Sequence, residues 1–175
     1  MRHTGSTNLG PWRVCVIMGS ESDWTVMQHT CITLQNLALP YSAHIASSHR
    51  TPARVKKLVS GAEKKGYQVV ICGAGLSAAL PGDAAARTNL PVIGVAMPGQ
   101  SKVDKLVAIL SMTKMPPGTP VSFAGVGKPG AINAALNAAR MIGIADLAVR
   151  KRMQAFRTSQ AKKVPKHPPA LSAQS

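Results

Sequence analysis

Five short, mostly apolar runs, each cut off by a turn of glycine, serine or proline, constrain this chain more than any other feature. Residues 13–18 (RVCVIM), 41–46 (YSAHIA), 67–72 (YQVVIC), 90–97 (LPVIGVAM) and 121–124 (VSFA) are too short for typical helices and read as strands. Three of them are almost unbroken in Val, Ile, Leu, Cys and Met, the pattern of strands buried on both faces. Helical stretches lie between and after them. The first starts near residue 23 and runs to 37, with apolar positions at Val26, Met27, Ile32 and Leu34. Others are expected at 52–65, opened by Pro52 and closed by Gly66, and at 103–112, 131–141 and 145–160.

Strands alternating with helices at this spacing imply parallel βαβ units joined right-handedly. The expected fold class is therefore α/β: a three-layer sandwich around a central parallel sheet, flavodoxin-like in strand order, with a basic helix and tail at the C-terminus. Aromatic residues make up only 3% of the chain, so small aliphatic side chains must build the core. A length of 175 residues fits one such domain with extensions. The expected division is a basic N-terminal extension (1–12), an α/β domain (13–144), a C-terminal helix (145–160) and a disordered basic tail (161–175).

In an open parallel sheet ligands bind beyond the carboxyl ends of the strands, and the polar turns here fall on that shared rim. After the first run comes Gly19-Ser20-Glu21-Ser22-Asp23. Ser22 or Asp23 can cap the next helix, and the turn serves equally as an anion site or as a plain cap. After the second run comes Ser47-Ser48-His49-Arg50-Thr51-Pro52, with Thr51 at the N-cap position and Pro52 in the first helical turn. His49 can move a proton near neutral pH and Arg50 can fork onto a phosphate or carboxylate. On the turn alone, a polar connection without a ligand accounts for the same residues.

After the third run, residues 73–78 (GAGLSA) match the dinucleotide fingerprint in form. That use is rejected. The match follows the third strand instead of the first, and no acidic residue stands about 20 positions on to hold a ribose. Pro81-Gly82 is also expected to interrupt the helix that a pyrophosphate would need. The glycines are expected instead to let backbone approach a small ligand closely.

Charge adds a second theme. Twenty-one basic residues against six acidic ones give a net +15, and residues 150–175 hold seven basic residues and no acidic one. Such a field attracts nucleic acid, acidic proteins or anionic surfaces. The interleaved aromatics that single-strand binders stack on are missing. An accessory RNA or acidic-protein contact through the tail is the expectation, and a dedicated RNA-reading module is not. No apolar run approaches the roughly 20 residues of a membrane span, and no secretory core precedes Val14. Residues 1–13 weakly resemble the remnant of an organelle-targeting segment, so the expected compartment is the cytoplasm or an organelle such as the mitochondrion. Cys15, Cys31 and Cys72 stand isolated in apolar segments, without a CxxC pair or a His/Cys cluster. Buried free thiols and no metal site are expected.

Taken together, MGSESD (18–23), SSHRTP (47–52), GAG…LPG (73–82) and PVIGV (91–95) resemble the PurE family. These are the carboxyaminoimidazole ribonucleotide mutases of de novo purine biosynthesis and the related aminoimidazole ribonucleotide carboxylases. The resemblance covers residues 14–143. It implies a flavodoxin-like homo-octamer acting on a small ribonucleotide with no metal or organic cofactor. It also implies that Ser20, Asp23 and Arg50 hold the ribose phosphate, and that Ser22 and Ser47 join the substrate-binding set. Ala74 and Gly75 would border the imidazole and the migrating carboxylate, with His49 as the proton shuttle. The chain departs from the family's usual GAGGAAHLPG: Leu76 stands for a glycine and Ala79 for a second histidine, with Leu76 expected to intrude on substrate space. The loop at residues 96–102 is shorter and altered, and Ser48 stands where alanine is common. Two expectations follow, a mutase-type enzyme, or an inactive structural subunit of an organellar or RNA-containing assembly.

Overall fold

The computed structural model describes residues 12–168. The expected N-terminal extension, apart from Trp12, and the last seven residues of the expected tail lie outside the described residues. Five strands form one sheet: β1 (Val14–Met18), β2 (Tyr41–Ile45), β3 (Val69–Ala74), β4 (Val92–Ala96) and β5 (Ser122–Val126). Their order is β2-β1-β3-β4-β5 and every adjacent pair is parallel. Among the described residues six α-helices cover it: α1 (Trp24–Asn36), α2 (Pro52–Ser60), α3 (Leu80–Ala85), α4 (Lys102–Thr113), α5 (Gly127–Ile142) and α6 (Leu147–Lys162).

Because side chains alternate along a strand, each buried run feeds two cores. Val14, Val16, Met18, Val69, Ile71, Ile93 and Val95 pack with Met27, Cys31 and Leu34 of α1 and with the alanines of α5. Cys15, Ile17, Val70, Cys72 and Val92 face the other way, onto Val55 and Val59 of α2, Ala84 of α3, and Ala108 and Met112 of α4. The C-terminal helix belongs to the first core. Val149 and Met153 are buried there, and the Asp146 carboxylate caps α6 through the N–H groups of Ala148 and Val149 at 2.9 and 3.1 Å. Arg13, just before β1, closes the same corner on Asp146 at 2.5 Å.

Some expected boundaries shift. The third strand begins at Val69 and runs through Gly73 and Ala74, so part of the expected turn is strand. Gly73 is required by packing: a Cβ there would come within 2.5 Å of the Met27 sulfur. That is an intramolecular reason for the glycine. Pro81-Gly82 does not interrupt a helix but lies inside α3, with the proline in its first turn, where no N–H is needed. The helix after Pro52 ends at Ser60, followed by a 3₁₀ turn (Glu63–Lys65) and then Gly66 in the left-handed region. A 3₁₀ turn (Glu21–Asp23) likewise precedes α1. Cys15, Cys31 and Cys72 are free and buried. Burial pushes the Cys15 thiol up to about 11 and the Cys31 thiol to about 12, and raises that of Cys72 as well. Among the described residues no helix is long and apolar enough to cross a membrane.

Candidate active site

The chain leaves β1 to form β2 on one side, then crosses back to form β3 on the other. Strand order reverses between β1 and β3, and at such a switch point the turns part to leave a crevice at the carboxyl ends. The turns after β1, β2 and β3 meet at that place. The first is held by the Asp23 carboxylate, which accepts the Ser20 N–H at 3.0 Å. The Ser22 hydroxyl donates to Ser20 Oγ at 3.1 Å. Asp23 therefore folds the turn back on itself instead of capping α1 through its side chain, as had been expected of Ser22 or Asp23. Burial lifts the Asp23 carboxyl above its ordinary value, against the pull of the Ser20 and Gly19 N–H groups and the Arg50 guanidinium.

The second turn is closed at its base. The Ser47 N–H donates to Thr51 Oγ1 at 2.8 Å, the Thr51 N–H donates to the Ser47 carbonyl at 2.8 Å, and the Arg50 N–H donates to Ser47 Oγ at 3.2 Å. Thr51 occupies the N-cap position of α2, yet its hydroxyl is spent on Ser47 and makes no cap. Both hydroxyls thus brace the turn whose apex carries His49. The Arg50 guanidinium reaches across to the Gly19 carbonyl at 3.3 Å and couples this turn to the first. His49 is exposed, and among the described residues its ring has no hydrogen-bond partner.

The third turn brings Ala74 and Gly75 to the end of β3. Ala74 is 5% exposed and its carbonyl accepts the Met97 N–H, so Gly75, half-buried, presents more surface to the crevice. Leu76 sits at φ +54°, a left-handed conformation that suits glycine, and is 69% exposed. Its side chain projects into solvent at the rim. Ala79 is half-buried immediately before α3. The altered loop after β4 closes on its own helix: Ser101 Oγ accepts the Asp104 N–H, and the Asp104 carboxylate accepts the Ser101 N–H, both at 3.1 Å.

Ser20, Ser22, Asp23, Ser47, His49, Arg50 and Gly75 therefore share one rim, with Ala74 beneath it. Sequence reasoning missed Asp83 and Arg87. Asp83, in the first turn of α3, accepts the Ser48 hydroxyl at 3.0 Å and pairs with Arg87 one helical turn on, at 2.6 Å. Their i, i+4 spacing in the sequence was the one available signal. A hollow of about 640 Å³ lies elsewhere, at the amino ends of β4 and β5 between Ala85–Val92 and Gly118–Ser122. Among the described residues no carboxylate, imidazole or thiol lines it. Among the described residues no three His, Cys, Asp or Glu side chains gather as a metal site.

Residues 13–163 match the AIR carboxylase family. The chain belongs to this family. Among its relatives, a protein named N5-carboxyaminoimidazole ribonucleotide mutase from Brucella melitensis is 44% identical over 156 residues, covering 89% of this chain and 95% of that one. The protein of the same name from Escherichia coli K12 is 40% identical over 165 residues, covering 93% and 96%. Among solved structures, Treponema denticola PurE superposes with a TM-score of 0.75 at 27% identity, over 86% of this chain and 92% of that one. The flavodoxin-like sheet is thus the AIR carboxylase fold. The family match extends through α6 as far as residue 163, so the C-terminal helix lies within the matched region instead of forming an appendix to it.

Proposed function

We propose that this chain catalyses the mutase reaction, moving a carboxylate from the exocyclic nitrogen of N5-carboxyaminoimidazole ribonucleotide to C4 of the imidazole. The observation that carries the reading is the hydrogen bond from Arg50 to the Gly19 carbonyl, which joins the histidine turn to the serine turn at the switch point. Relatives named as mutases support it, and they do not favour the alternative of an inactive structural subunit.

In this reading Ser20, Ser22, Ser47 and Arg50 bind the ribose phosphate, helped by the unpaired N–H groups at the start of the first helical segment. Asp23 orients that turn. The N–CO₂ bond breaks, its electron pair stays on the exocyclic nitrogen, and a protonated His49 gives that nitrogen its proton. C4 then attacks the released carbon dioxide, and the now neutral imidazole takes the C4 proton. Histidine ends as it began, and no oxidant or reductant is consumed. Gly75 and Ala74 border the ring, where a closed wall retains carbon dioxide.

Three further parts belong to the proposal. The protein works as a homo-oligomer, an octamer by family resemblance. In support, α4 exposes Val103, Leu106, Val107 and Leu110 at helical spacing, an apolar stripe that a neighbouring copy would cover. The basic C-terminus contacts RNA or an acidic protein through exposed lysines such as Lys151 and Lys162. The compartment is the cytoplasm or an organelle.

The test is turnover of pure protein, in parallel, with N5-carboxyaminoimidazole ribonucleotide and with aminoimidazole ribonucleotide plus bicarbonate. Turnover of the first substrate alone is expected. Turnover of the second alone would make it a carboxylase. No turnover and no ribonucleotide binding would overturn the reading. Sedimentation should give a particle near eight times the 18.3 kDa chain, and a monomer would refute the octamer.

A further inference from the structure

We infer that Ser48 and Asp83 form a positioning pair that fixes where the His49 imidazole stands, an inference that rests on the reading of His49 as proton shuttle. His49 has no partner of its own among the described residues, so its place is set only by the turn that carries it. That turn is held at the base by Ser47 and Thr51, and on one flank by Arg50 against Gly19. Among the described residues the other flank has a single tie, the Ser48 hydroxyl donating to Asp83 Oδ2 at 3.0 Å. Asp83 cannot swing away to follow the turn. It sits on α3, and its other oxygen is gripped by Arg87, from Nε at 2.7 Å and from the second guanidinium nitrogen at 2.6 Å. All three side chains are half-buried, which shelters the bonds from competing water.

The tie is charge-assisted, and a hydroxyl bound to a braced carboxylate is a stiffer link than one open to solvent. It also joins two places where this chain departs from its family's usual motifs. Ser48 replaces the common alanine beside the histidine, and the tie lands on the helix that follows Ala79, where a second histidine is usual. A turn that no longer has that neighbour is restrained from the side by Ser48 and Asp83. A proton shuttle must stay within hydrogen-bond reach of both the exocyclic nitrogen and C4, so loosening its turn costs rate more than binding.

The experiment compares Ser48→Ala, Ser48→Thr, Asp83→Ala and the double variant Ser48→Ala/Asp83→Ala with wild type. In each, kcat and KM for N5-carboxyaminoimidazole ribonucleotide are measured beside amide hydrogen exchange of residues 47–51. Ser48→Ala should lower kcat about tenfold or more with KM little changed, and speed exchange in the turn. Ser48→Thr, which keeps the hydroxyl, should restore most of the rate. The double variant should be no slower than the worse single one, because both break one tie. Full kcat in folded Ser48→Ala, or additive losses in the double variant, would overturn the inference. If wild type has no turnover, the proposed reaction fails separately and exchange decides the tie: faster exchange in Ser48→Ala supports it, and unchanged exchange refutes it.

Discussion

His49→Ala should abolish turnover while ribonucleotide binding stays within about tenfold, because the groups proposed to hold the phosphate lie on other residues. Lost binding with surviving turnover, by calorimetry and rate assay, would remove His49 from the shuttle role. Arg50→Ala should act in the opposite order and weaken binding by about 1.5–3 kcal/mol, the range of a lost bond to a charged group. An unchanged dissociation constant would release Arg50 from the phosphate. Leu76 is tested through its backbone. Relieving a left-handed non-glycine residue gains about 1–2 kcal/mol, and the freer unfolded chain of a glycine returns about 0.4–1 of it. Leu76→Gly should therefore raise unfolding stability by up to about 1.6 kcal/mol, read as a higher urea midpoint at unchanged slope. At this scale the sequence made His49, Arg50, Ser20 and Asp23 legible, since each lies in a polar turn directly after an apolar run. Asp83 was not legible as a partner of Ser48. The two are 35 positions apart, and only the packing of α3 beside the second turn brings them together.

Strands β1, β3 and β4 could be read from sequence because burial on both faces leaves no charged or strongly polar residue inside them. Their ends could not, since Gly73 and Ala74 look like turn residues until β4 is seen to pair with them. Helix α3 was hidden by Pro81-Gly82, whose placement in the first turn makes the proline harmless. The edge strand β2 carries a more polar device. Ser42 Oγ lies 2.8 Å from His44 Nε2 and 2.6 Å from the Tyr67 hydroxyl. Burial, and then the nearby Lys65 charge, hold the His44 imidazole below its usual 6.5. A histidine whose folded value is depressed binds protons more readily when unfolded. Stability is therefore fully present above about 6.5 and declines as pH falls through 6.5 toward the lower folded value. Urea midpoints should drop between pH 7.5 and 5.5, and His44→Gln should flatten that drop. Asp23 works in the opposite sense, since its raised carboxyl gains stability as pH falls through its folded value, in a more acid window. A midpoint that climbs between 7.5 and 5.5 would contradict the assignment to His44.

For the molecule as a whole, the C-terminal charge and the C-terminal packing pull truncation experiments in different directions. Arg150 and Arg152 are occupied by the carbonyls of Gly143, Ile144 and Leu37, and Met153 is 5% exposed in the first core. A chain ending before Arg150 loses that methionine and should be destabilised by about 2–5 kcal/mol or fail to fold. One ending after Lys162 keeps every core contact of α6 and should melt like the full chain. Equal melting of both would refute the place given to α6. The salt dependence of binding to RNA should then be compared between the full chain and a Lys151→Ala/Lys162→Ala variant, where an identical slope moves the contact away from the exposed face of α6. The two-sided core has one more use. Cys15 and Cys72 lie under α2, α3 and α4, whereas Cys31, on α1, packs in the core shared with α5 and α6, and burial keeps all three thiols protonated near neutral pH. A thiol in that state does not react with iodoacetamide until its layer opens. Alkylation followed by peptide mass mapping would thus time the opening of each layer separately, using only the protein's own cysteines.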